Sequence, residues 1–110
     1  MRASRKDCDQ IVAKIEVTAR YLGLLPADGE LYYQPGNTTQ GHSPEIRAFS
    51  DAGRHHPFRA RFLPENFTYK TTLTEAYRIL QGVETALDAV AHLKVEQAAA
   101  RDERIHRALS

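Results

Sequence analysis

At 110 residues, with 42% hydrophobic and 26% charged residues, the chain is expected to fold as a single domain spanning 1–110. A net charge of +1 selects no partner by itself, and a lone cysteine, Cys8, excludes an internal disulfide framework. No apolar run approaches the roughly 18 residues of a membrane span and no leader pattern opens the chain, so the expected setting is the cytoplasm with no membrane contact.

Ser4 stands three residues before Asp7, a capping signal, and Ile11, Val12, Ile15, Ala19 and Leu22 recur at helical spacing. A helix is predicted from about Arg5 to Leu22. Gly23 suits a left-handed stop with Leu24 as its hydrophobic partner, and Pro26 prevents continuation. Cys8 falls near the helix start, where a thiol pKa can be lowered. Glu30–Gln34, Glu45–Ser50 and Phe58–Phe62 read as strands, the last with strict alternation. The QPGNTTQGHSP run between the first two reads as a turn or flexible hairpin loop.

Thr72 to about Val95 is the longest periodic segment. Thr72 and Glu75 have capping-box spacing. Leu73, Ala76, Leu80, Val83, Leu87 and Val90 follow steps of three and four, widened by Ile79, Ala86 and Leu93 on one side and Tyr77 and Ala91 on the other. Gly82 costs about 1 kcal/mol relative to Ala and is either tolerated or marks a close approach of another backbone. Past Val95 the same stepping meets Gln97, Arg101 and Arg104, after Lys94. Residues 96–110 are therefore expected to be an exposed helical tail that frays or is ordered by a partner.

The element order α-β-β-β-α predicts an α+β fold: a three-stranded antiparallel sheet with both helices packed on one face, the long C-terminal helix roofing it, and the other face open. Alternation then turns Leu31, Tyr33, Ile46, Ala48, Phe58, Ala60 and Phe62 inward. It gathers Tyr32, Arg47, Phe49, Arg59 and Arg61 on the outer face, with Arg54, His55 and His56 in the adjoining loop. Residues 46–61 carry four Arg against one Asp. Arginine pairs phosphate and aromatic rings stack on bases, so this surface is a candidate nucleic-acid site. Arginines on a strand face are equally a solvated surface that discourages edge aggregation.

Cys8, His42, His55, His56, His92 and His106 show no metal-ligand spacing, so no metal or cofactor is expected. No nucleophile stands with a base, so no catalytic residue is assigned and a non-enzymatic protein is expected.

The order α-β-β-β-α resembles that of double-stranded RNA-binding domains, with QGHSPEIRAF at the entry to the second strand. Those domains open their last helix with a lysine cluster, whereas KTTLTEAYR has Lys70 alone. TTLTEAYRIL resembles the helix start of integrase-type DNA-binding domains. The layout of a first helix, YYQPGNTTQGHSPEIRAFS and then TLTEAYRILQG is similar to that of small uncharacterised accessory proteins of actinobacterial phages. That resemblance implies an accessory protein acting in an infected bacterial cytoplasm. The expected function is macromolecular binding, first of a host or phage protein, with a homodimer through the C-terminal helix. The alternative is nucleic-acid binding by the sheet.

Overall fold

Helix α1 spans Arg5–Tyr21 and begins where the capping pair predicts. Ser4 Oγ accepts from the Asp7 amide at 3.2 Å, and the Asp7 carboxylate accepts from the Ser4 amide at 2.8 Å. Two of the orphan amide groups at the helix start are thereby satisfied reciprocally. At the other end Gly23 adopts φ +77°. Its amide donates to Arg20 O, and the Leu24 amide donates to Ala19 O. This pair of bonds is the Schellman motif, and it needs a residue that tolerates the left-handed region. Leu24 itself stays exposed, and it is Leu25 that enters the core.

The computed structural model describes residues 2–37, 39–49, 57–58, 63, 67–68 and 70–109. After α1 come β1 (Glu30–Gln34), β2 (Glu45–Phe49), the two-residue β3 (Pro57–Phe58) and α2 (Leu73–Leu109). Strands β1 and β2 form an antiparallel hairpin pairing Leu31 with Ala48 and Tyr33 with Ile46. Asn37 and His42 exchange backbone hydrogen bonds at its tip, and the Asn37 side chain accepts from the Thr39 amide. Gly36 is required there by contact: a Cβ would lie 2.7 Å from both His42 O and Pro44 Cδ. Pro57 and Phe58 pair with Phe49 and Ala48. The remainder of the expected third strand, Arg59 to Phe62, lies outside the described residues.

The layering differs from the sequence expectation. Helix α1, not α2, lies against β1, while α2 packs mainly on α1. Helix α1 is thus the central layer, and its buried face serves both neighbours. Cys8, Ile11, Val12, Ile15 and Ala19 meet Leu31, Tyr33 and Ala48 on the sheet side and Ala76, Leu80 and Leu87 on the helix side. A 17-residue helix that buries five residues in one stripe can fill that role, whereas the face of α2 is spent on α1.

The two helices run in the same direction. The Ala3 amide donates to Thr74 Oγ1 at 3.0 Å and the Cys8 thiol to Leu73 O at 3.6 Å, tying start to start. Lys94 Nζ donates to Tyr21 O at 3.2 Å and sits over the Tyr21 ring, which brings it beside the end of α1. Helix α2 then continues for fifteen residues beyond Lys94, about 22 Å at 1.5 Å per residue. The molecule is accordingly elongated: its radius of gyration is 17.4 Å, against about 13 Å for a compact chain of this length.

Candidate functional site

Two surfaces carry the candidate residues. The first is the outer face of the hairpin. The alternation holds where it is described: Leu31, Tyr33 and Ala48 are buried toward α1, and Tyr32, Arg47 and Phe49 come together on the opposite face. The Tyr32 and Phe49 rings meet edge to face at 5.8 Å, and the Arg47 guanidinium lies 5.7 Å from the Phe49 centroid. The expectation of an open face is corrected at Phe49, which is buried at 6% exposure. Arg47 is also engaged, donating to Gln34 Oε1 at 3.3 Å and pairing with Glu45 at 3.7 Å. Tyr32 donates to the Glu30 carboxylate. Arg54, His55, His56, Arg59 and Arg61 lie outside the described residues. The described part of this face is therefore a self-satisfied cluster of ring and charge contacts.

Beside it, a groove of about 750 Å³ separates the edge of β1 from α1. Sequence reasoning missed the two residues that control this edge. Glu16 Oε1 accepts from the Leu31 amide at 2.7 Å, standing where a neighbouring strand's carbonyl would stand. Arg20 Nη2 donates to Gly29 O at 2.7 Å and pairs with Glu16 at 3.2 Å. An exposed strand edge invites pairing with another chain, and this helical clamp occupies part of it. The sequence signal was a Glu four residues before an Arg, which reads only as an intrahelical pair.

The core beneath the groove holds two groups whose pKa values are displaced, the two so found among the described residues. Burial first, and then the charges of Asp9 and Asp7, push the Cys8 thiol up, against the opposing contact with Tyr33. This reverses the expectation of a lowered thiol pKa at a helix start. Burial pushes the Tyr33 phenol up to about 12, with Cys8 and Asp9 adding to the shift and Arg5 opposing it. Burial thus favours the neutral form of both groups, which suits a packed core. Among the described residues, no three of His, Cys, Asp and Glu converge on a point that could hold a metal ion, and no helix is long and apolar enough to cross a membrane.

The second surface is α2 beyond the end of α1. Stepping by three and four along the helix follows a 3.5-residue period, and a straight α-helix drifts about 20° per heptad from that line. At 3.6 residues per turn, the line through Leu80 and Leu87 continues through Ala91, Val95, Ala98, Asp102, Ile105 and Leu109. The positions expected to make the tail polar, Gln97, Arg101 and Arg104, flank this stripe instead. Ala91 is half-buried, and the rest of the line is in solvent: Val95, Ile105 and Leu109 are 55%, 49% and 84% exposed. Tyr21 is exposed at its root, beside Lys94. The tail expected over residues 96–110 is helical and exposed to Leu109, and this overhang carries a largely apolar line interrupted by Asp102.

The chain matches no protein-family model, no curated protein and no solved structure.

Proposed function

We propose that this chain is a small non-enzymatic accessory protein that acts by binding another protein through the overhang of α2. One observation carries the reading: the face that α1 covers over the first half of α2 continues along the second half, exposed and largely apolar, with Asp102 as its one charge. Most helical stability in proteins comes from packing an apolar face rather than from propensity. A stripe that prolongs an existing interface supplies such a face to a partner. Nucleic-acid binding by the sheet has less support, because Phe49 is buried and Arg47 is already paired with Glu45.

The test is a matched capture from a bacterial lysate with the full chain and its Ile105→Glu variant, each with and without nuclease. The reading predicts a protein retained by the first and lost by the second, unaffected by nuclease. Identical recoveries from both baits would refute it. Recovery that disappears with nuclease, together with a gel shift that weakens steeply with salt, would favour nucleic acid instead.

A further inference from the structure

We infer that the overhang of α2 is covered by the overhang of a second copy of this chain, the two lying antiparallel and centred near Ala100. The inference rests on the reading of the overhang as a binding surface and names what covers that surface when no other protein is bound.

Three observations select this occupant. First, the stripe continues an interface that this chain already makes: α2 presents the line of Leu80 and Leu87 to a helix of its own sequence, α1, up to Lys94. Past that point the same line has room for one more helix. Second, the overhang is electrically balanced. Residues 95–109 carry Arg101, Arg104 and Arg107 against Glu96, Asp102 and Glu103, so two copies do not repel at a distance. Third, the sizes along the stripe fit one direction better than the other. In a parallel pair in register, Asp102 would press on its own copy inside the seam, where like charges are costly. Reversing one helix about Ala100 sets Val95 opposite Ile105, Asp102 opposite the small Ala98, and Leu109 opposite Ala91. Large side chains then meet small or complementary ones, and each Asp102 keeps a path to solvent over an alanine. The partner's Leu109 lands at the root of the overhang, beside the exposed Tyr21.

The reverse pairing gives a directional test by disulfide formation. Two cysteines bridge only when their Cα atoms lie within about 7 Å. Antiparallel pairing brings residue 98 of one copy against residue 102 of the other and keeps the two 98 positions apart. Full-length Ala98→Cys and Asp102→Cys variants, mixed and mildly oxidised, are expected to form the mixed disulfide in preference to either homodimer. The native Cys8 is buried and does not compete. Light scattering of the unmodified chain is expected to give twice 12.4 kDa at tens to hundreds of micromolar. Ile105→Glu should return it to 12.4 kDa with the domain still folded, because Ile105 touches nothing in the core. A chain that stays monomeric across that range overturns the inference, as does a dimer unaffected by Ile105→Glu. A dominant Ala98→Cys homodisulfide overturns the antiparallel arrangement. A stable dimer whose capture of other proteins is indifferent to Ile105→Glu would refute the preceding section and leave this inference standing.

Discussion

Replacing Glu16 by Ala tests how α1 holds the sheet edge. Glu16 is the acceptor for the Leu31 amide at 2.7 Å and the counter-charge for Arg20, whose other partner is Gly29 O. Removing it leaves a part-buried strand amide unbonded and loosens the guanidinium from its fork. A hydrogen bond to a charged group contributes about 1.5–3 kcal/mol. The Glu16 and Arg20 side chains are 22% and 38% exposed, which places the expected loss toward the lower half of that range, about 1.5–2 kcal/mol. Glu16→Gln keeps an acceptor oxygen but not the charge and should cost roughly half as much. Asp9→Ala provides the control. Its pair with Arg5, at 4.0 Å and with both side chains more than half exposed, should contribute no more than about 0.5 kcal/mol. Urea denaturation, compared at constant m-value, measures all three. A Glu16→Ala variant within 0.5 kcal/mol of the parent, or one equal to Asp9→Ala, would refute the clamp.

Four further outcomes are expected. Gly82→Ala should stabilise the chain by about 0.5–1 kcal/mol, since a Cβ there meets nothing within 4 Å and the helix gains propensity; a loss on thermal melting would reveal a close neighbour. Leu80→Ala should cost about 2–5 kcal/mol, because Leu80 is wholly buried between the helices; a cost under 1 kcal/mol would mean that α2 does not dock as described. Ile105→Glu should change monomer stability by less than about 0.5 kcal/mol in dilute solution, which separates a binding stripe from a core stripe. The stability contributed by Tyr33 should be complete below about pH 10, the ordinary phenol value, and decline toward about pH 12: between these values the unfolded chain releases a proton that the folded chain keeps. Urea midpoints that stay flat from pH 9 to 11, or that fall equally in Tyr33→Phe, would contradict that assignment.

The element order and most boundaries were legible because they depend on local chemistry. The Ser4–Asp7 cap, the Gly23 stop and the Leu31/Tyr33 alternation each act within a few residues. The layering was not legible, because both helices carry an apolar face and periodicity does not say which one meets the sheet. What decided it is that α1 buries one stripe in two directions through Cys8 and Ile15, which only the packing reveals. The tail was legible as an exposed helix, but its stripe was hidden for a geometric reason. Steps of three and four are harmless over two turns of helix, but over five turns they drift onto Gln97, Arg101 and Arg104 and conceal the apolar line ending at Leu109. The Tyr32, Arg47 and Phe49 grouping on the sheet was legible from strand period alone. That Phe49 is covered was not.

The most direct test of the account is amide hydrogen exchange along α2 at two protein concentrations, about 1 and 200 micromolar. Amides from Leu73 to Ala91 should be protected at both. Those from Val95 to Leu109 should exchange quickly in the dilute sample and slow markedly in the concentrated one, as the uncovered stripe finds its partner. Rapid exchange of the overhang at both concentrations, with no added protein able to slow it, would contradict the claim that this face exists to be covered.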